Sequence, residues 1–276
     1  MGFYLLSVAL LHVPAVQRGV TFLISEALKD ILHTELSIGR VDLGYFNRII
    51  LDDVRIKDQK KKDLLKAARL SAKIELTSLL HGKISISNVQ LYGFDIHLYQ
   101  GREREKPNFQ FLIDTFAKKD SLPSNPNLRI NSVLVRRGKL SWHRYDKSST
   151  PGRFNPDHIV LDKISATLSL KSYTADSLNL NVKKFSFEEH SGLQLKQLSF
   201  KITANREKAQ LDHFTIELPH SRLALHPVTM SYRHIKEGNG KGRYQDFTFQ
   251  GSIEQGTFSF ADFIPFYPKS VQNHVL

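Results

Sequence analysis

The 276-residue chain contains no cysteine, two methionines and one tryptophan. Without cysteine there is no disulfide framework and no thiolate metal site. The absence suits an oxidising compartment, where stray thiols are a liability. Enzyme signatures are missing too. There is no H-E-x-x-H, no G-x-S-x-G, and no G-x-G-x-x-G after a strand. The 12 histidines show no pair at close metal-ligand spacing. Asp52-Asp53 and Glu188-Glu189 are adjacent carboxylates, which a strand sends to opposite faces, so neither pair converges on a substrate. The sequence therefore reads as a non-enzyme, with no metal and no cofactor.

Long apolar runs are scarce. Phe3 to Val13 is apolar except for Ser7 and His12. As a helix it would reach about half to two thirds of the roughly 30 Å hydrocarbon core. It has neither a basic leader nor an A-x-A cleavage site. It reads as the trailing half of a membrane anchor, carried by Phe3, Leu5, Leu6, Val8, Leu10 and Leu11. The alternative is a short buried helix.

Acidic residues are in deficit: 27 against 39 lysines and arginines, a formal charge of +12. That balance favours anionic partners, or is simply a solvated basic surface. Arg136-Arg137 with Trp142, His143, Arg144 and Tyr145 mixes basic and aromatic groups that can stack bases. Trp142, however, falls on an apolar strand position. No RNP, KH or helix-turn-helix pattern accompanies it, so no nucleic-acid partner is expected.

What is abundant is strand. Leu79 to Tyr99 organises the chain, with apolar residues alternating through Ile84, Ile86, Val89, Leu91, Ile96 and Leu98. The phase slips at Ser87-Asn88, which predicts a bulge. It slips again at Tyr92-Gly93, which predicts a turn and hence a bent hairpin. The pattern apolar-polar-polar-apolar-any-apolar recurs at Leu51-Val54-Ile56, Ile86-Val89-Leu91, Ile130-Val133-Val135, Leu161-Ile164-Ala166, Leu195-Leu198-Phe200 and Leu211-Phe214-Ile216. The second and third copies match further, through Ile96 and Leu98 in one and Leu140 and Trp142 in the other. The copies are unevenly separated, which excludes a fixed-period solenoid.

Segments 1–13, 14–34, 35–120 and 121–276 read as partial anchor, amphipathic helix, first β unit and second β region, the last continuing beyond the chain. Pro14 opens a helix whose stripe runs Val16, Val20, Leu23, Ile24, Ala27, Leu28, Ile31 and Leu32. Pro107 to Lys119 breaks the β rhythm: Phe109, Leu112, Ile113 and Phe116 have helical spacing after Asn108, a good cap. This short helix is expected to cover an opening or edge of the sheet. Ser121 to Asn127 is a proline-bearing linker, and Lys57 to Asp63 and Gly238 to Gly242 read as hairpin tips. Ser259 to Asp262 reads as the cap of a short terminal helix. Amphipathic strands with few helical crossovers predict an antiparallel sheet.

The residues just quoted carry a resemblance. Val13 to Gln17, Ile38 to Asp58 and Ala68 to Tyr99, above all the L-L-x-G-K-I-x-I run from Leu79 to Ile86, are similar to the N-terminal part of TamB-like proteins in the AsmA-like family. Pro107 to Asp120 and Leu128 to Asp146 resemble the Bacteroidota type. The likeness extends to about Leu225 and is weaker beyond. It implies a single inner-membrane anchor and a periplasmic, curled antiparallel β-sheet forming an elongated apolar groove. It also implies phospholipid transport between inner and outer membrane, or a scaffold role in a translocation and assembly machine with an outer-membrane barrel partner. No catalytic residue is implied. The anchor is short for the family, and the chain is a small fraction of a full member. The groove candidates are Ile86, Val89, Leu91, Ile96, Leu98, Val133, Val135, Leu140, Ile164, Leu168, Leu198 and Phe200. The same residues would equally line a dry β-sandwich core.

Overall fold

The computed structural model describes residues 22, 26, 29, 32–44, 48–74, 86–117, 130–174, 177–236 and 242–268. Strands dominate, as alternating apolar residues require. They are β1 (Leu36–Ser37), β2 (Arg40–Gly44), β3 (Arg48–Lys57), β4 (Asp63–Ile74), β5 (Ile86–Gln100), β6 (Ile130–Arg144) and β7 (His158–Thr174). Then come β8 (Ser177–Glu189), β9 (Gln194–Ala204), β10 (Lys208–Glu217), β11 (Arg222–Leu225), β12 (Val228–Lys236), β13 (Gly242–Gln250) and β14 (Ile253–Thr257). Helix α1 spans Gln110–Ala117, and a 3-10 helix spans Phe260–Phe266. The 14 strands form one open sheet in the order β1-β3-β4-β5-β6-β7-β8-β9-β10-β11-β14; β2 joins β3, β12 joins β10, and β13 joins β12.

By packing, the chain falls into two units. The first is Met1–Asn127, Val135–Thr150 and Asn155–Lys163; the second is Leu128–Leu134, Pro151–Phe154 and Ile164–Leu276.

The sheet is mixed rather than antiparallel, which corrects the sequence expectation. Neighbours such as β3/β4, β4/β5, β8/β9 and β9/β10 are antiparallel. In contrast, β5 and β6 run the same way. Phe94 lies against Gly138, the Ser141 hydroxyl reaches the Ile96 carbonyl, and Tyr145 N–H donates to the Gln100 carbonyl. A parallel pair needs a long crossover, and α1 lies in the described part of the connection, residues 101–117. The two most similar copies of the repeat are therefore the two parallel strands, side by side in equivalent register. His97 meets Ser141, 44 residues on.

Two further expectations are settled in β5. The bulge at Ser87-Asn88 is present: Lys73 pairs with Asn88 but Ile74 with Ile86, leaving Ser87 extra. The turn at Tyr92-Gly93 is not. The strand runs unbroken through Gly93, whose φ of +58° bends it without reversing it. The described part of Leu79 to Tyr99, from Ile86 on, is one bent strand and not a hairpin.

That bend belongs to a row. Asp53 on β3, Arg137 on β6 and Lys163 on β7 also have left-handed φ, between 53° and 54°. The flanking pairs Asp52↔Arg69, Val54↔Ala67, Arg69↔Tyr92 and Ala67↔Phe94 place Asp53, Ala68 and Gly93 in line across three strands. A left-handed residue advances the side-chain phase by one. Leu51 and Val54, three apart, are thus both buried while Asp53 between them is exposed. In the Leu51 copy the register to β4 stays unbroken, so the phase change is a bend without an inserted residue, whereas the Leu211 copy shifts its register to β9 between Asp212 and Thr215 as a bulge does. His213 of the Leu211 copy repeats the left-handed backbone at φ 53°. The Leu195 copy sets Lys196-Gln197 against Ser186 alone, because Phe185 pairs with Leu198 and Phe187 with Leu195.

Of the helix read from Pro14, residues 22, 26, 29 and 32 are described and helical; the others lie outside the described residues. Leu32 is buried, as its stripe requires, and His33 ends the helix with φ 52°. The 121–127 linker and the 238–241 tip also lie outside the described residues, although Lys236 pairs with Gly242 as hairpin arms should. Ser259 caps the terminal helix as expected, accepting from Ala261 N–H. Pro265 inside it favours the short 3-10 form over an α-helix.

Candidate functional site

The first unit carries an apolar sheet face. Leu51, Leu70 and Leu91 are register partners in sequence across β3, β4 and β5. Ala72 pairs with Val89, and Leu65 with both Ile56 and Ile96. Val89, Leu91 and Ile96 therefore share one face. Leu98, Val135 and Leu140 are half-buried like them. The Ile86 backbone pairs with Ile74, but its side chain lies outside the described residues. Phe109, just before α1, meets Trp142 edge-on with ring centres 6.1 Å apart. The crossover thus reaches the sheet, while Ile113 of α1 stays 49% exposed.

The second unit has its own apolar face. Val182 and Phe200 are partners, and Leu198 pairs with both Phe185 and Ile216. The candidates Val133, Leu168, Leu198 and Phe200 are half-buried, whereas Ile164 is buried. Phe247, Phe249, Phe258 and Phe260 are largely exposed. All five residues of β14 are exposed, and among the described residues β14 pairs only with β11.

One degree of burial separates these faces from an ordinary core. Among the described residues, no large side chain is completely enclosed. A chain of this length can bury a substantial core. Here Leu51, Val54, Ala67, Phe94, Ile164 and Val182 are buried, while Val89, Leu91, Ile96, Leu168 and Phe200 beside them stay half-buried.

A polar anchor, which the sequence reading missed, holds the end of the first face. Lys57 to Asp63 is a hairpin tip with exposed lysines, as expected, but Asp58 within it is only 2% exposed. Its carboxylate accepts from the Tyr99 hydroxyl (2.7 Å), Asn108 Nδ2 (3.3 Å) and the N–H groups of Lys60 (2.8 Å) and Lys62 (2.9 Å). Burial alone raises the Asp58 pKa. The hydrogen bonds from Tyr99, Lys62, Asn108 and Lys60 outweigh it and hold the carboxyl below its ordinary value. Burial and then the bond to Asp58 push the Tyr99 phenol upward. Asn108 is not the expected helix cap. Its amide accepts from Tyr99 N–H and donates to the His97 carbonyl, clamping the crossover to β5. A side chain that both donates and accepts suits a strand better than a helix end, which needs only an acceptor.

The other face of β5, β6 and β7 gathers three histidines. His97 Nδ1 is 3.1 Å from the Ser141 hydroxyl, and its Nε2 is 3.3 Å from Asp95. His143 Nδ1 is 3.2 Å from His158 Nδ1, and its ring stacks on Tyr145. Burial, then His158 and His97, lower the His143 pKa. The tip beyond is pinned by Arg144 to Asp157 at 3.1 Å. The histidine pair joins residues from two strands, so no short sequence spacing marks it. Among the described residues, no group of three or more His, Asp or Glu is placed to hold a metal ion.

No protein-family model matches the chain, and no curated protein matches it. No helix among the described residues is long and apolar enough to cross a membrane. The anchor residues Phe3, Leu5, Leu6, Val8, Leu10 and Leu11 lie outside the described residues.

Proposed function

We propose that the chain is part of an inner-membrane-anchored, periplasmic protein of the cell envelope whose apolar β faces carry phospholipid between inner and outer membrane, as in TamB-like, AsmA-like proteins. The observation that carries this reading is the open sheet whose apolar faces keep half-buried residues beside buried ones, with no completely enclosed large side chain among the described residues. A dry sandwich would seal its inner faces with a second sheet. Acyl chains are chemically suited to the same faces, at about 0.8 kcal/mol per buried methylene. The row of left-handed residues supports the reading too, because it keeps Leu51 and Val54 on one side of a bent strand.

Leu91→Asp in the first unit and Leu168→Asp in the second test it. Each places a charge on a half-covered face rather than in a sealed core, so the fold survives. Co-purified phospholipid is expected to fall at least about tenfold, since an unpaired carboxylate against acyl chains costs more than the ~1.4 kcal/mol that factor represents. Lipid retained at the wild-type level by both folded variants contradicts the reading.

A second reading is favoured by the exposed β14 edge. Such an edge can hold an unfolded barrel strand by addition, as a scaffold in a translocation and assembly machine with an outer-membrane partner. It predicts that Glu254→Pro, at that edge, abolishes partner capture and spares lipid.

A further inference from the structure

We propose that His143 and His158 form a two-histidine chelate for a divalent transition-metal ion of the zinc, nickel or copper class. Strand pairing brings them together. Arg144 N–H donates to the Asp157 carbonyl at 2.8 Å, and His143 and His158 flank that bond. Their Nδ1 atoms stand 3.2 Å apart. An ion about 2.1 Å from both nitrogens subtends roughly 100° at that separation, close to a tetrahedral angle. The ring centres stand 5.5 Å apart, so the two nitrogens face each other nearly head-on, and each ring turns by roughly 40° to aim its lone pair at such an ion.

The second observation is the orientation of His158. Its Nε2 lies 2.8 Å from the Lys147 carbonyl, so Nε2 carries the hydrogen and Nδ1 presents its lone pair to His143. A ligating histidine is oriented in this way, its far N–H held by a carbonyl or carboxylate. In the metal-free pair, His143 donates its Nδ1 hydrogen to His158. On metal binding that hydrogen moves to His143 Nε2 through solvent. Both nitrogens then donate lone pairs, and the protein's proton count is unchanged.

The surroundings set the character of the site. Asp157 and Asp146 offset the charge of Arg144 (3.1 and 3.6 Å), so the guanidinium does not face an incoming cation uncompensated. His97 is engaged by Ser141 and Asp95. Water completes the coordination, which makes the site weak and exchangeable rather than structural. Imidazole nitrogens select zinc, nickel or copper over magnesium or calcium.

The test uses the full chain, stripped with chelator and titrated calorimetrically with Zn²⁺ alone, then with Mg²⁺. One Zn²⁺ per chain is expected, with no Mg²⁺ uptake. Loss of an outer-shell partner weakens metal sites by about 10–100-fold, and loss of a ligand costs no less. His143→Ala and His158→Ala should each weaken binding by at least that lower bound. His226→Ala, an exposed histidine in the other unit, should not. Circular dichroism establishes folding, and His143→Asn, which keeps a donor toward His158, replaces His143→Ala if the latter unfolds. Equal Zn²⁺ affinity in wild type and both pair variants, or no binding in wild type, overturns the proposal.

Discussion

Replacing Asp58 with alanine is expected to lower the unfolding free energy by about 3 kcal/mol. Four donors converge on that carboxylate, two from side chains on distant elements. The Tyr99 hydroxyl belongs to a residue only 7% exposed and would be left without its acceptor. A buried polar group so orphaned costs about 1–3 kcal/mol. Asn108 would lose one of its partners, loosening the crossover that makes β5 and β6 parallel. The Lys60 and Lys62 amides lie in an exposed tip and regain water, so they add less. Asp58→Asn should fall between, because its amide oxygen still accepts.

The same carboxylate makes a prediction about acid. Its folded pKa lies below its ordinary value. Its contribution is therefore complete above the unfolded pKa, near 3.9, and is lost as pH falls through the lower folded value. Urea unfolding of wild type should show this loss at the acid end, and Asp58→Asn should lack that part of it. Stability of Asp58→Ala within about 0.5 kcal/mol of wild type would mean the anchor is decorative.

Gly138→Ala is expected to cost about 1–3 kcal/mol, as overpacking does. A methyl at Gly138 would stand 1.9, 2.1 and 2.7 Å from three carbons of the Phe94 ring. That ring is 5% exposed and cannot swing away at little cost. The effect should vanish when the ring is removed. In a Phe94→Ala background, adding Gly138→Ala should change stability by less than about 0.5 kcal/mol. The cycle also checks the parallel pairing, because β5 and β6 in any other register would separate these residues. Additive costs would contradict it.

Much of the β architecture is legible in the sequence because side-chain alternation is a local property of one strand. The bulge at Ser87 is legible for the same reason: two polar residues in a row between apolar ones leave few other arrangements. The motif Leu-Asp-x-apolar at residues 51, 161 and 211 marks left-handed bends at Asp53, Lys163 and His213. What alternation does not carry is which strand lies beside which. The twin copies at Ile86 and Ile130 were visible, but a helix between two strands reads equally as a cover or as a crossover. Asn108 and Asp58 fasten the start of the crossover to the end of β5, a contact that alternation along one strand does not show. Asp58 itself was hidden in a lysine-rich tip, where composition suggests only solvent. His143 and His158 were hidden because their proximity arises from strand pairing.

For the proposed function, the degree of burial is what bears on two readings of the same residues. Leu91, Leu140, Leu168 and Phe200 would serve a sandwich core or a lipid-bearing face alike in sequence. In the fold they are neither sealed nor free. That state suits a ligand that is itself apolar and mobile along the sheet.

The most direct test of the central claim is mass spectrometry of lipid extracted from the purified full chain. It should be washed in detergent and then exchanged into buffer with vesicles of known phospholipid composition. The account predicts phospholipid at a reproducible ratio to protein. A folded chain that emerges free of lipid, and stays so after incubation with the vesicles, would contradict it.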